Sequence, residues 1–410
     1  MKRIFVIVLS VLSFVSCIDE SYYGESNLCN ITSFEMEGQL SCEITTENGT
    51  GYIYVSMPED ADKSNLKITR AVISPLSKFD RDISSIRDFT NTVTVKVVAE
   101  DGKTFKNWHI SIVNTETDSQ IPYSDMKKWT IALDENGNQI SLPDIEYAYF
   151  PGENGKYSPW QHAARANKIN GFFSVTPQPS PENSEYALME TKAYLAGNLV
   201  NSGIVTGALF TGKFCFDSRH LPVVGSDPNP RKLIDFGVPF THKPSAVRFD
   251  IRYTPGEVMK DGRGKTINEN DSEGRPYKDS CDIYFLLQNR SLKSDTYYRV
   301  ATAWLREGAV IGENGFVTIT LPFVYGQPTQ AEIQEKPYMN IGGIRGEVTF
   351  YKFSFNGATY DKELMKEEFG DKDMEVDHII GLFSSSAYGD MFWGAPGSRL
   401  EIKNVELIYE

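Results

Sequence analysis

The stretch Leu382–Tyr409, LFSSSAYGDMFWGAPGSRLEIKNVELIY, contains the pattern that decides the fold of the chain. From Arg399 to Tyr409, apolar Leu400, Ile402, Val405, Leu407 and Tyr409 are interleaved with polar residues, which predicts a half-buried strand that closes a β-scaffold. The glycine-punctuated segment Tyr388–Gly397 precedes that strand and carries Tyr388, Asp390 and Trp393. Because binding groups concentrate on loops that a rigid scaffold presents, these three side chains are predicted to bind ligand.

The rest of the chain repeats the same strand-and-turn composition. With 21 Tyr, 24 Phe, 32 Gly and 20 Pro in 410 residues, strands joined by turns are favoured over helices, and an all-β protein is expected. This length exceeds what one core usually organises, which predicts two domains. Five short strand-like runs indicate a small antiparallel sandwich over residues 31–117, and about ten further runs indicate a larger jelly-roll β-sandwich over residues 118–410. The one stretch predicted to be helical is Asp361–Phe369.

The amino end predicts export and lipidation. Lys2 and Arg3 precede an apolar run, Ile4–Val15, that is short for a bilayer span, so residues 1–16 are predicted to be a secretory signal peptide. The segment Phe14-Val15-Ser16-Cys17 resembles a bacterial lipobox, which implies a lipid on Cys17. Residues 17–30 are then a tether, and the expected location is the outer membrane, on the cell surface or on its periplasmic side.

Charge and cysteine content exclude several classes of function. The formal net charge is −14 and no basic tract is present, which excludes nucleic acid as a partner. Cys29 and Cys42 are spaced for a disulfide in the first domain, whereas Cys215 and Cys281 are expected to be buried thiols. No CxxC pair or His/Cys cluster predicts a metal site, and a structural calcium ion on carboxylates is the one cofactor left open.

Three segments of the second domain supply further candidate ligand-binding residues. Trp160 is a candidate stacking platform for sugar, and the alternative is that it plugs one end of the sandwich. On the strand around Ala246–Tyr253, Arg248, Asp250 and Arg252 share one face, which forms either a solvated charge ladder or the floor of a polar groove containing Arg252. Asp282 begins another strand and is placed to accept hydrogen bonds from sugar hydroxyls.

Catalysis would require two carboxylates placed across a scissile bond. Asp250 and Asp282 are the weak catalytic candidates, with Glu190 and Asp390 as further carboxylates, but no short motif fixes a pair. A Gly-x-Ser-x-Gly elbow and a glycine-rich phosphate loop are both absent from the sequence. A glycoside hydrolase therefore remains an alternative to a binding module.

Two parts of the chain resemble known families. Asp88–Asn91 leading into Val93–Val95, followed by Trp108–Ile112, resembles the bacterial Ig-like domains found near the amino end of Bacteroidetes lipoproteins, which implies a spacer. The second domain resembles the putative carbohydrate metabolism domain (PCMD) of Bacteroidetes lipoproteins. This resemblance rests on four segments: LAGNLVNSGIVTGALFTGKF, FGVPF followed by KPSAVRFDIRYTPG, CDIYFLL, and SSSAYGDMFWGAPGSRLEIKNVELIY. It implies a jelly-roll fold associated with carbohydrate.

The sequence thus supports three functional hypotheses. The first is a lipid-anchored cell-envelope protein that binds a polysaccharide or oligosaccharide and contacts the membrane only through its lipid. The second is an enzyme resembling glycoside hydrolases that uses paired carboxylates. The third is a structural adhesin or surface-assembly component.

Overall fold

The computed structural model describes thirteen stretches and one further residue of the chain: 24–47, 49–58, 61–114, 119–131, 148–149, 159–162, 174–180, 183–193, 203–215, 229–268, 270, 277–342, 349–355 and 360–409. The predicted signal peptide, Cys17 and the first part of the tether lie outside these residues. The predicted domain boundary between residues 117 and 118 lies outside them as well. The signal peptide, the lipidation of Cys17 and this boundary therefore stay predictions. Within the described residues, no helix has the length and apolar character needed to cross a bilayer.

The first domain is a small β-sandwich of a two-stranded and a five-stranded sheet. Its strands are β1 (Ile31–Met36), β2 (Ser41–Glu47), β3 (Thr50–Met57), β4 (Ile68–Ile73), β5 (Lys78–Phe79), β6 (Val93–Val98) and β7 (Phe105–Asn114). The smaller sheet pairs β1 with β4, and the larger has the order β2-β3-β7-β6-β5. Short 3-10 turns at Lys63–Asn65 and Ile83–Ser85 lie in the connections between strands.

Two features of this domain differ from the sequence-based expectation. The sheet is mixed, because β3 and β7 run parallel. After β3 the chain crosses to the other sheet as β4. It then returns to the larger sheet as β5 and β6 before it forms β7, which runs in the same direction as β3. The structure also has no disulfide between Cys29 and Cys42. Cys29 instead packs in the core, and its carbonyl accepts a hydrogen bond from the indole Nε1 of buried Trp108 at 3.2 Å.

The described residues of the second domain contain the remaining strands and one short helix. Helix α1 (Gln330–Glu335) begins at a capping box in which Thr329 and Glu332 bond each other's backbone amides. Three 3-10 turns lie at Pro230–Leu233, Pro337–Met339 and Gly389–Met391. The strands are β8 (Thr130–Ile131), β9 (Ala148–Tyr149), β10 (Trp160–His162), β11 (Val175–Gln178), β12 (Tyr186–Glu190), β13 (Lys192–Ala193), β14 (Ile204–Val205), β15 (Ala208–Phe214), β16 (Ile234–Phe236), β17 (Val238–Pro239), β18 (Ala246–Thr254), β19 (Cys281–Lys293), β20 (Thr296–Glu307), β21 (Val317–Pro322), β22 (Val324–Tyr325), β23 (Phe350–Phe355), β24 (Tyr360–Phe369), β25 (His378–Ser384) and β26 (Arg399–Ile408).

Two sheets of the second domain pack face to face as a curled β-sandwich. The five-stranded sheet has the order β11-β12-β26-β18-β21. The ten-stranded sheet runs β10-β15-β25-β19-β20-β24-β23, with β16, β17 and β22 paired at its sides. The prediction of an all-β chain with a small sandwich followed by a larger one is confirmed.

The core between these sheets follows from period-2 patterning. On β18, Phe249 and Ile251 are fully buried, and on β19 Ile283 and Phe285 face them from the other sheet in the same cluster. β26 lies between β12 and β18, so the closing strand predicted from the quoted stretch is a central strand of the smaller sheet. The alternate residues of β18 and β19 consequently point away from the core, to opposite sides of the sandwich.

The predicted helix at Asp361–Phe369 is wrong, because this segment is strand β24. It pairs parallel with β20 and antiparallel with β23. Met365 is buried, and two residues further on Glu367 makes a two-point ion pair with fully buried Arg299 at 2.8 and 2.7 Å. The alternation of this segment therefore has period 2. One of the charged residues that indicated a solvated helix face, Glu367, is instead the ion-pair partner of the buried Arg299.

Candidate functional site

A pair of opposite charges lies on the outer face of the ten-stranded sheet, where β19 and β20 form a hairpin. The register places Asp282 opposite Arg306 and Tyr284 opposite Trp304. Asp282 Oδ1 accepts hydrogen bonds from Trp304 Nε1 at 2.6 Å and Arg306 Nε at 3.1 Å, while Oδ2 accepts from Arg306 Nη2 at 3.1 Å. Only 4% of the Asp282 side chain is exposed, so the pair is a fixed, largely desolvated element of the sheet face.

Arg231 reaches the same face from the 3-10 turn at Pro230–Leu233. Asn229 caps this turn by accepting a hydrogen bond from the Arg231 amide at 3.0 Å. Arg231 Nη1 donates to the Tyr284 hydroxyl at 2.8 Å, and its guanidinium lies 5.4 Å from the ring centre of Phe236. The turn and the ring contact together orient the guanidinium over the sheet.

Asp390 approaches Arg231 from the loop that precedes the closing strand. It lies in the 3-10 turn Gly389–Met391, which ends at Phe392 in a left-handed conformation with φ 56°. Asp390 Oδ2 is 3.7 Å from Arg231 Nε, which is an ion pair without a hydrogen bond. We call Arg231, Asp282, Arg306 and Asp390 the carboxylate–arginine cluster.

The carboxylate–arginine cluster contains polar atoms that the described residues leave unsatisfied. Arg231 Nε and Asp390 Oδ1 are both buried, and neither has a hydrogen-bond partner in the described part of the chain. Buried polar groups are nearly always hydrogen-bonded, because an unmade bond costs about 1–3 kcal/mol. One unpaired donor and one unpaired acceptor therefore lie next to each other beneath the surface, and a ligand hydroxyl reaches them only if the side chains that cover them move.

Aromatic side chains surround the carboxylate–arginine cluster. The Arg306 guanidinium lies 5.1 Å from the ring centre of Tyr338 and 5.6 Å from that of Tyr388. Tyr277 makes edge contacts with Tyr388 and Trp393, with ring centres 5.8 and 5.9 Å apart. Tyr338, Tyr388 and Trp393 are half-buried, which leaves part of each ring at the surface. Aromatic faces next to polar groups are the combination that sugar binding requires.

The environment of Asp390 raises its pKa. Burial raises the pKa of Asp390, and the neighbouring Asp282 carboxylate raises it further against the opposing effect of Arg231 and Arg306. Burial also raises the pKa of the Tyr284 hydroxyl, although Arg231 opposes this. The cluster thus holds two carboxylates in different settings, one in a two-point ion pair and one with a raised pKa.

Asp279 positions the loop that carries Asp390. Its Oδ2 accepts hydrogen bonds from Ser386 Oγ, Ser398 Oγ and the Ala395 amide, at 2.7, 2.6 and 2.6 Å. Burial raises the pKa of this carboxyl to about 6, against those hydrogen bonds. Asp279 therefore fastens the segment between β25 and β26 to the start of β19, and this oxygen is already fully used by the fold.

Residues 122–341, more than half of the chain, match the family described as "Putative carbohydrate metabolism domain" (PCMD). The chain belongs to this PCMD family. Residues 31–112 match a second family, described as "SGBP, N-terminal". Together the two families indicate a glycan-related Bacteroidetes surface protein. No curated protein matches the chain.

Two solved structures are similar to this PCMD protein. One is described as a putative glycoside hydrolase from Bacteroides thetaiotaomicron VPI-5482, with 21% sequence identity, 94% of this chain and 98% of that chain covered, and a TM-score of 0.45. The other is described as a putative glycoside hydrolase from Bacteroides vulgatus ATCC 8482, with 17% identity, 69% and 100% covered, and a TM-score of 0.39.

The structure brings four of the predicted site residues of the PCMD protein together. Asp282 and Asp390 belong to the carboxylate–arginine cluster, and Tyr388 and Trp393 to its aromatic surroundings. Sequence reasoning missed Arg231, Arg306 and Tyr338. The hairpin turn alone gave no signal for Arg306, because two register shifts between the turn and Asp282 make Arg306, rather than Glu307, the residue opposite Asp282.

Asp250 and Arg252 lie on the far side of the sandwich from Asp282, on the outer face of β18. Asp250 accepts hydrogen bonds from Thr318 and Asn404 at 2.6 and 2.8 Å, and against the effect of burial these bonds hold its pKa below the usual range. Arg252 pairs with Glu401. This arrangement is the charge ladder rather than a groove, and Asp250 cannot form a catalytic pair with Asp282 across the core.

Trp160 is fully buried between the sheets. Its Nε1 donates to Ser124 Oγ at 3.0 Å, and its ring centre is 5.8 Å from that of Phe383. A sugar ring has no access to this indole, so the placement matches the alternative in which Trp160 fills the sandwich.

The described residues include no group of three or more His, Cys, Asp or Glu side chains that could hold a metal ion. Cys215 and Cys281 are buried thiols outside any disulfide, as predicted, and burial raises the pKa of Cys215 to about 12.

Proposed function

We propose that this protein is a lipid-anchored protein of the cell envelope that binds glycan at the carboxylate–arginine cluster. The observation that carries the proposal is the adjacent pair of unsatisfied atoms, Arg231 Nε and Asp390 Oδ1, in a cluster whose Arg306 lies against the half-buried rings of Tyr338 and Tyr388. Because both atoms are buried, the proposal requires the side chains that cover them to move when the sugar binds. A sugar hydroxyl both donates and accepts hydrogen bonds, so it can then satisfy the two atoms together. The match to the SGBP amino-terminal family supports a carbohydrate partner.

The binding test is a screen of immobilised plant, host and microbial glycans with the full-length protein, followed by affinity measurements with the glycan that binds. Asp390→Asn removes one ionised acceptor while keeping the shape of the side chain, and we expect at least a tenfold loss of affinity, because a hydrogen bond to a charged group contributes about 1.5–3 kcal/mol. Asp250→Asn is the matched control on the opposite face and should bind like the wild type. The proposal fails if no glycan binds, or if the two variants lose affinity equally.

Membrane attachment through Cys17 is tested separately. In cells fed a radiolabelled fatty acid, the wild-type protein should take up label and Cys17→Ser should not, while protease treatment of intact cells reports which side of the outer membrane the protein faces. Label that persists in Cys17→Ser would refute the proposed anchor.

A glycoside hydrolase is the second candidate function, and one observation favours it. The cluster holds two carboxylates in different environments, which is the arrangement that acid and base roles require. Asp390, with its raised pKa, is the residue suited to proton donation, and Asp282 is the partner carboxylate. The enzyme hypothesis predicts that reducing ends are released from the bound glycan. It also predicts that the rate of this release falls at least about a hundredfold in Asp390→Asn. Tight binding without any product after prolonged incubation would leave the protein a binding module.

A further inference from the structure

A second cavity, of about 570 Å³, lies between the two domains and is separate from the carboxylate–arginine cluster. Ligand pockets commonly have volumes of roughly 300–1,000 Å³ and often occur at domain interfaces. The first domain contributes Glu35 and Ser41 to its wall, and the PCMD domain contributes Lys213, Asp235 and Arg290. We call it the interdomain cavity.

Ion pairs fix the two walls of the interdomain cavity to each other. Glu35 of the first domain, with 10% of its side chain exposed, pairs with Lys352 of the PCMD domain at 2.5 Å and with Arg70 at 3.4 Å. Arg70 also pairs with Glu363 of the PCMD domain at 3.3 Å. The linked charges run from Lys352 through Glu35 and Arg70 to Glu363, so a charge pair of the first domain is held at both ends by the PCMD domain next to the cavity.

Arg290 is a rigidly positioned cation in the wall. Its Nε and Nη2 donate to Gln288 Oε1 at 2.9 and 2.8 Å, Nη2 also donates to the Phe236 carbonyl at 2.6 Å, and the guanidinium stacks 4.4 Å from the ring centre of Tyr297. Gly237 makes room for it, since a Cβ there would lie 2.7 Å from Nη2. Among the described residues, Nη1 has no hydrogen-bond partner and the guanidinium makes no ion pair with a carboxylate.

Lys213 provides a second cation on the same wall. It is exposed, and its ammonium lies 5.2 Å from the ring centre of Tyr360. It makes no ion pair with any carboxylate in the described part of the chain. Among the described residues neither cation has a carboxylate within ion-pair distance, although Asp235 in the same wall lies close enough for both cations to lower its pKa. An anionic group can therefore bind between the two cations.

The cavity also contains groups that recognise hydroxyls. Asp235 lines the cavity, as do Ser291 and Ser294. Burial raises the pKa of Asp235 to about 6, against the effect of Arg290 and Lys213. A carboxylate and several hydroxyls next to two cations suit a ligand that carries both an acid group and hydroxyl groups.

We propose that the interdomain cavity binds a uronic acid unit of a glycan, with the sugar carboxylate on Arg290 and Lys213 and the sugar hydroxyls on Asp235 and the serine side chains. This site is independent of the carboxylate–arginine cluster. It gives the first domain a direct part in recognition, because one wall of the site belongs to that domain.

The test is saturation-transfer NMR and titration of the full-length protein with glucuronate and galacturonate, each compared with its neutral counterpart, glucose or galactose. We expect at least one uronate to bind at least tenfold more tightly than its neutral counterpart. Lys213→Glu should reduce uronate affinity at least tenfold, and Ser41→Trp, which fills the cavity from the first domain, should abolish binding. Lys103→Glu is the charge-matched control on an exposed residue outside the cavity and should leave binding unchanged.

Asp390→Asn separates this inference from the proposed function, since it should leave uronate binding intact. Uronates that bind no better than the neutral sugars would overturn the inference, as would wild-type affinity in Lys213→Glu or Ser41→Trp. Unchanged melting temperatures in both variants would show that any lost binding does not come from unfolding.

Discussion

Asp282 and Arg306 face each other across the hairpin of β19 and β20 and make two hydrogen bonds of 3.1 Å from opposite edges of one carboxylate. Trp304 donates a third hydrogen bond to the same carboxylate, at 2.6 Å. The fold alone holds this pair in place, and it lies beside the ion pair of Arg231 and Asp390. The proposed function depends on this preorganised pair and on the two unsatisfied atoms of Arg231 and Asp390.

Asp282→Ala tests how much the buried ion pair of Asp282 and Arg306 contributes to the free energy of unfolding. The substitution leaves Arg306 largely buried without its counter-ion, so we expect a loss of about 3–5 kcal/mol in the free energy of unfolding, measured by chemical denaturation. Arg248→Ala is the matched control, because Arg248 pairs with Glu406 across neighbouring strands but in solvent, and should cost less than about 1 kcal/mol. Equal losses in the two variants would contradict the assignment of Asp282 as a desolvated ion pair.

Asp279→Ala tests how the binding loop is held. It leaves the Ala395 amide and the hydroxyls of Ser386 and Ser398 without their shared acceptor, and each unmade bond costs about 1–3 kcal/mol. We expect a lower melting temperature and faster amide hydrogen exchange over residues 385–398. Glycan affinity should fall as well, because Tyr388, Asp390 and Trp393 lie in this segment. An unchanged exchange rate there would show that Asp279 does not fasten the loop.

The pH dependence of glycan binding follows from the raised pKa of Asp390. The ionised carboxylate accepts strong, charge-assisted hydrogen bonds from sugar hydroxyls, and protonation removes the charge that strengthens them. We therefore expect affinity to be highest above the raised pKa and to decrease as the pH is lowered through it, at a higher pH than an ordinary aspartate would require. In Asp390→Asn this decrease should be absent. A wild-type affinity that stays constant down to pH 4 would exclude Asp390 as the acceptor.

The same shift has the opposite consequence for stability. The folded-state pKa of Asp390 is raised above its unfolded value, so the folded state favours the protonated carboxyl and ionisation destabilises it. The stability that the protonated carboxyl contributes is fully present below the unfolded pKa and is lost as the pH rises through the folded pKa. At neutral pH, Asp390→Asn should therefore melt at the same temperature as the wild type or higher, while binding glycan more weakly. Lower stability together with weaker binding would assign Asp390 a structural role. Differential scanning fluorimetry at pH 7.5 measures this directly.

The sequence predicted the β architecture because its periodicity is local. The alternation on β18 placed Phe249 and Ile251 in the core and Asp250 and Arg252 outside from sequence alone. Local pattern failed at Asp361–Phe369, where the charged residues resemble a helix face, but pairing with β20 and β23 makes the segment a strand. The buried partner Arg299 is distant in sequence, so Glu367 gave no local sign of its role.

The site was predicted in part for the same reason. Tyr388, Asp390 and Trp393 are close in sequence and stand out in a loop rich in glycine, whereas Arg231 comes from a distant 3-10 turn whose position only the fold determines. Trp160 carries the same residue type as Trp393, yet it is fully buried. Residue type identifies candidates, and burial decides which of them can touch a ligand.

The most direct test of the central claim is a crystal structure of the protein with the oligosaccharide that the glycan screen identifies. We predict that a sugar hydroxyl lies within hydrogen-bond distance of both Arg231 Nε and Asp390 Oδ1, with Tyr388 or Trp393 in contact with the sugar. A sugar bound instead on the outer face of β18, beside Asp250 and Arg252, with those two atoms still unpaired, would contradict the account.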